Sequence, residues 1–168
     1  MTQSQSWFGL LCLLAICGCA PLHPLVLEQP VGPEAMAAAD RDAGALVVYS
    51  TNEPNPDDSP NTPHTNYDLR TADGTFVRHV LNQSGAFGWK AATLPLPAGR
   101  YRVVATASYY GLVDVPVVIE AGRTTVVDLN RESPARGRTA AAAAVRLPSG
   151  RVVGGGAVSA EAAAPKGP

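Results

Sequence analysis

Beyond residue 19 this 168-residue chain contains no cysteine; Cys12, Cys17 and Cys19 are its only three. The rest of the chain can therefore form neither an internal disulfide nor a thiolate metal site. Lysine is nearly as scarce, with only Lys90 and Lys166. The three histidines, His23, His64 and His79, share no ligand spacing, so no zinc motif is present. No apolar run approaches the roughly 20 residues that a membrane-spanning helix needs. There is no G-x-S-x-G elbow, and "QSG" at 83–85 lacks the flanking glycines. The "GGG" of 154–156 does not lead a strand into a helix, so no phosphate-binding loop is expected. These absences argue against a nucleophilic triad, a metal centre and a nucleotide cofactor. The expectation is a non-enzyme with no cofactor and no metal.

What is present begins with "WFGLLCLLAI" at 7–16, followed by "CGCA" and then by prolines at 21 and 24. An apolar run of this length followed by small residues has the form of an export signal. Residues 1–18 are therefore set aside from fold reasoning. An ordinary cleaved signal, or a short buried helix, are the other readings.

Ile16-Cys17-Gly18-Cys19 resembles the bacterial lipobox, in which an aliphatic residue, a small residue and Gly or Ala precede the cysteine that becomes the mature N-terminus. The resemblance implies a diacylglycerol on the Cys19 sulfur, cleavage before it, and a fatty acid such as palmitate on the new amine. Cys17 fits less well, because Ile16 would then stand where a small residue belongs. Several acyl chains anchor stably where one alone is marginal. Ala20, rather than Asp, follows the cysteine, which by the same resemblance favours the outer membrane of a bacterial envelope.

Net charge over the whole chain is −1. Its distribution is uneven: residues 28–130 carry seven Lys/Arg against twelve Asp/Glu, and residues 131–168 carry six against two. An exported acidic body with a mildly basic extension is a poor fit to nucleic acid. The lipid bilayer, through Cys19, is the expected partner, together with an envelope protein or glycan.

The chain divides into a signal (1–18), a lipidated tether (19–42), a β-domain (43–130) and a disordered Ala/Gly/Pro/Arg-rich tail (131–168). Pro21, Pro24, Pro30 and Pro33 keep the tether extended. "PEAMAAADRDAG" could form a short helix, with Pro33 at its first turn and Gly44 beyond its end. The tail buries little apolar surface, although "AVRLPSGRVV" (144–153) could form one hairpin around Pro148–Gly150.

Seven short runs in 43–130 read as strands: 45–50, 67–71, 75–82, 89–96, 100–108, 112–120 and 123–130. Several alternate, as in Tyr101, Val103, Ala105 against Arg100, Arg102, Val104. Turn residues separate them, which points to antiparallel pairing rather than βαβ units. Pro116 inside the sixth run predicts an edge strand or a bulge. If Tyr101 faces the core, Arg100 and Arg102 face water, where their charges need no partner.

"TADGTF" (71–76), "LPLPAGRYRVVATA" (94–107) and "VPVVIEAGRTTVVDL" (115–129) resemble the carboxypeptidase regulatory-like and transthyretin-like (prealbumin-like) modules. The resemblance covers about 60 residues. It implies a single seven-stranded antiparallel Ig-like/prealbumin-like sandwich and little about chemistry, since one fold hosts many roles. The neighbouring collagen-adhesin module is stapled by a Lys–Asn isopeptide bond; no lysine lies in the first strand here, so that staple is expected to be absent.

Among candidate binding residues, Phe87, Trp89, Tyr109 and Tyr110 are the aromatics outside the strand cores, and flat rings at one end of a sandwich can stack on sugars. The oxygen-rich loop "NEPNPDDSPNTPHTN" (52–66) lacks the central Gly and closing Glu of an EF-hand, and reads as a proline-stiffened polar loop rather than a calcium site. Two functions remain open: a non-catalytic, membrane-anchored binding or scaffolding module, or a carbohydrate-binding accessory module in which Trp89, Tyr109 and Tyr110 contact the ligand.

Overall fold

The computed structural model describes residues 23–37, 43–53, 62–86, 90–130 and 144–156. Within them the chain is all-β, with no helix. Its strands are β1 (Leu25–Val26), β2 (Pro33–Ala37), β3 (Ala43–Tyr49), β4 (Tyr67–Thr71), β5 (Phe76–Val80), β6 (Thr93–Pro97), β7 (Gly99–Ala107), β8 (Gly111–Ile119), β9 (Arg123–Asp128), β10 (Ala144–Arg146) and β11 (Val152–Gly155). One sheet has the order β1-β8-β7-β4-β5, a second has β2-β9-β3-β6, and β10-β11 form a two-stranded ribbon.

Alternation explains the long strands. Along β8, Val113, Val115, Val117 and Ile119 are buried, while Asp114, Pro116 and Val118 take the other face. In β7, Val103, Ala105 and Ala107 are buried and Tyr101 packs against the same core. Leu46, Val48, Leu94, Leu96, Val127 and Leu129 of the second sheet belong to that one cluster. A one-residue slip would turn every one of these side chains to solvent, so the burial itself fixes the register. In the turn before β7, the Tyr101 hydroxyl donates to the Pro97 carbonyl at 3.2 Å. In the turn before β5, Asp73 accepts from the Thr71 hydroxyl and the Thr75 amide, which hold its carboxyl below the usual range.

Each of the seven stretches read as strands contains a strand, the fourth only from Thr93 onward, but the expectation of seven antiparallel ones is corrected. The two larger sheets contain nine strands, and two pairings are parallel, β1 with β8 and β3 with β9. Arg102 is corrected as well. It lies on the outer face as expected, yet it is not alone there: its guanidinium donates to the Asp114 carboxylate, Nε at 3.0 and 3.1 Å and Nη2 at 3.0 Å. Both side chains are largely covered, so removing one would leave the other short of a partner. Arg100 is the exposed arginine of that strand.

The larger corrections concern the two ends. Residues 25–37, expected as an extended tether or a short helix, hold two strands, β1 and β2, joined by a non-strand stretch bridged only at Val31. They run beside β8 and then cross to β9. Leu27 N–H donates to Asp114 O and Val31 N–H to Pro116 O, each at 2.9 Å, and Val118 N–H donates to Val31 O at 2.8 Å. Two residues later Pro33 pairs with Thr125 and Ala37 with Arg123 on the other sheet. Pro116 is explained by this path. Its ring nitrogen has no hydrogen to give, and it faces the stretch Glu28–Pro30, where the chain makes no bond to β8.

Part of the supposed tail is also ordered against the body. Residues 144–156 form the ribbon, turned by Gly150 at φ 83° with its N–H donating to Leu147 O at 2.8 Å. Val145, Leu147 and Val153 enter the main core. Gly154 lets the ribbon come close: a Cβ there would lie 2.5 Å from a Val31 methyl and 2.8 Å from the Val126 carbonyl oxygen. The segments 131–143 and 157–168 lie outside the described residues. The physical reason for both corrections is the same. Short apolar pairs set among Pro and Gly bury little by themselves, but here they fill the open side between two sheets.

A chain ending at Asn130 would lose three buried side chains, each worth about 1.5–3 kcal/mol before ordering costs. Roughly 1 kcal/mol moves the melting temperature of a domain in this size range by about 2–8 °C. Thermal unfolding of that shortened chain should show a drop of at least about 5 °C. An unchanged melting temperature would mean that the ribbon does not pack on the body.

Candidate functional site

One end of the domain gathers most of the irregular structure. β7 runs into the turn Ser108–Tyr110 and β8 runs out of it. Thr51 N–H donates to Thr106 O at 2.9 Å, Ser108 N–H to Leu129 O at 2.9 Å and Leu129 N–H to Tyr49 O at 2.7 Å. These bonds bring the exits of β3, β7 and β9 together. The stem of the proline-rich loop joins them through Thr65 N–H to Thr51 O at 2.8 Å and Glu53 N–H to Pro63 O at 2.9 Å.

A buried polar network holds this end. Asn82 is wholly buried, and its amide donates to Val48 O at 2.8 Å and to Ser50 Oγ at 2.9 Å. Its Oδ1 accepts from Ala92 N–H at 3.0 Å, and its own N–H donates to Asn66 Oδ1 at 3.0 Å. Ser50 Oγ donates to Thr65 O at 2.6 Å. Asn82, through its side chain and its own N–H, and Ser50 thus tie β3, the stem after residue 62 and the segments flanking β5 and β6. Each such buried group left unpaired costs about 1–3 kcal/mol, so the network stabilises one arrangement of the loops. Asn130 Nδ2 donates to Asn52 Oδ1 at 2.9 Å and extends the same ties to β9.

His64 belongs to this network. It is buried, its Nδ1–H donates to Ser50 O at 2.8 Å, and its ring meets Tyr49 edge-on at 5.7 Å. Burial pushes its pKa below the ordinary 6.5, against a smaller opposite pull from the Ser50 carbonyl. His79 lies on the outer face of β5, where Nδ1 meets Asp68 Oδ1 at 2.8 Å across the strand pair. His23 is exposed. The described residues bring no group of three His, Cys, Asp or Glu together in a way that could hold a metal ion.

The predicted aromatic site is only partly assembled. Tyr109 is exposed, and with φ 71° it is the one non-glycine residue of positive φ among those described. Tyr110 packs against the core instead. Consecutive residues of this turn thus point different ways and do not form one flat platform. Trp89 and Phe87 lie outside the described residues, as do Cys19 and residues 54–61 of the oxygen-rich loop.

Two features escaped the sequence reading. A groove of about 360 Å³ runs between residues 25–29 and 145–148, segments that had been assigned to tether and tail. The network around Asn82 was the other. Its signal was available: Ser50 continues the phase of Leu46 and Val48, and Asn82 that of Val80, so polar residues stand at core positions where strands end. No protein-family model matches the chain, and the search of curated proteins and that of solved structures each returned no similar protein.

Because the His64 pKa is lowered in the folded state, the unfolded chain binds the extra proton first as pH falls. The stability tied to neutral His64 is complete above 6.5 and is lost as pH drops through its lower folded value. Denaturant midpoints measured from pH 8 to pH 5 should fall below that point in the native chain. His64→Asn, whose amide can still donate to Ser50 O, should give a flatter profile; two superimposable profiles would refute the assignment.

Proposed function

We propose that this chain is a lipid-anchored, non-catalytic module of the bacterial cell envelope, with the outer membrane favoured, which binds or scaffolds another envelope component. The observation that carries the reading is Ile16-Cys17-Gly18-Cys19 at the end of the apolar run, six residues ahead of the first strand at Leu25. Lipidation of Cys19 joins the bilayer to the domain through a very short link. We further infer that the two larger sheets, which share one apolar core, form a sandwich of the Ig-like or prealbumin-like kind, modified by the strands added from both ends. A rigid β-module with loops gathered at one end is a common way of presenting a binding surface.

The carbohydrate reading retains one supporting observation, the exposed ring of Tyr109. Tyr110 lends it little, because its ring is used in the core.

Labelled fatty acid and detergent partitioning test the anchor. The native chain and Cys17→Ala should both take up label and enter the detergent phase, and Cys19→Ala should do neither. Label that persists in Cys19→Ala would remove the assignment.

A further inference from the structure

Six large apolar side chains are exposed among the described residues, and they are unevenly placed. Phe76 and Val77 lie towards the β4–β5 turn. The other four lie towards the opposite end, the end at which the chain enters from Cys19. β1 runs parallel to β8, with Leu25 beside Val113, so the chain arrives alongside the Ser108–Tyr110 turn. There Tyr109 is 80% exposed, Val26 53% and Leu112 40%. Leu81, 69% exposed, follows β5 at the same end, on the far edge of the sheet.

Register gives three of them a common face. Val26 pairs with Asp114, and Leu112 lies two residues before Asp114, in phase with it on the side away from the core. Leu81 is out of phase with the buried Val80 and so takes the same outer side. The charges beside Val26 neutralise each other, since Asp114 is paired with Arg102. Tyr109 stands at the tip of the turn. A bulky residue at φ 71° is strained, and here the strain holds an aromatic ring out in solvent rather than in the core.

We propose that this end of the domain rests on the lipid bilayer, with Tyr109, Leu112, Val26 and Leu81 entering the headgroup region. The inference rests on the lipid-anchor reading of Cys19. Its further support is chain length: six residues from Cys19 to Leu25 span at most about 20 Å even when fully extended. This end therefore cannot leave the surface by more than that, whereas the Glu120–Gly122 turn is held at the opposite end of β8. Aromatic side chains with a polar tip favour the interface between lipid and water. Single apolar residues add to the hold of an acyl anchor in proportion to the apolar area they bury.

The test uses the full-length, processed protein in vesicles of phosphatidylethanolamine and phosphatidylglycerol. Once Cys19 is acylated the mature chain has no free thiol, so an added cysteine is the single labelling site. Gln83→Cys places a fluorophore at the proposed contact end, and Ala121→Cys places one in the turn between β8 and β9. Lipids brominated near the headgroup should quench the label at 83 and leave the label at 121 nearly unaffected. Adding Tyr109→Ser and Leu112→Ser should lower the quenching at 83 to the level at 121, with fatty-acid incorporation unchanged. If the protein carries fatty acid but both sites are quenched alike, the domain does not rest on this end, and the inference fails alone. A protein without fatty acid would overturn the anchor reading and this inference with it. Quenching at 83 that ignores the two serine substitutions would assign the contact to other residues and overturn the role given to Tyr109 and Leu112.

Discussion

The two sheets are joined along one side by the step Val31–Gly32. Val31 N–H and C=O are both spent on β8, and one residue later Gly32 N–H donates to Gly155 O at 2.7 Å. The Val31 side chain is wholly buried where β8, β9 and the C-terminal ribbon converge. Strands at the side of a sheet expose unpaired N–H and C=O groups and apolar flanks. Here the chain covers those of β8 and β9 in turn, and the ribbon then seals the seam. Val31 shares one core cluster with Leu27, Val145, Leu147 and Val153.

The order of the long strands was legible because alternation is local. Val113, Val115 and Val117, or Val103 and Ala105, announce both a strand and its inward face within five residues. Partnership was not legible. β3 and β9 pair in parallel across nearly 80 residues, and nothing in "ALVVYS" or "RTTVVDLN" names the other. The N-terminal strands were missed, and the C-terminal hairpin was read as a feature of the tail without its packing on the body, for a related reason. "LVL" at 25–27 and "VV" at 152–153 are too short to show a period, and their proline and glycine neighbours suggest loops. Pro30, Pro33, Gly154 and Gly155 lie at the crossing and the close approach there, so residues typical of loops here mark a tight contact.

The candidate site divides along the same line. Tyr109 and Tyr110 could be picked out as aromatics near a turn, but only the positive φ of Tyr109 separates the exposed ring from the packed one. Arg102 was placed on the correct face, while its partner Asp114 lies across the strand pair, a relation fixed by register rather than by sequence proximity. The network around Asn82 joins residues 48 to 92 through a single side chain. It orders the loops at the end that the proposed anchor holds near the bilayer. Leu25 of the first strand packs against the core and stands six residues from Cys19, so a lipid on Cys19, as proposed, would be tied closely to the domain.

Native-state hydrogen exchange in the full chain reads the seam most directly. The amides of Val31, Gly32 and Val118 are hydrogen-bonded only when the N-terminal segment and the ribbon are docked. If docking is part of the single cooperative fold, they should exchange only through global unfolding, with the same opening free energy as Val103 and Val115 in the centre of the sheet. Exchange of Val31, Gly32 and Val118 through a much smaller opening, while Val103 and Val115 stay protected, would contradict it and leave the seam a loosely attached margin.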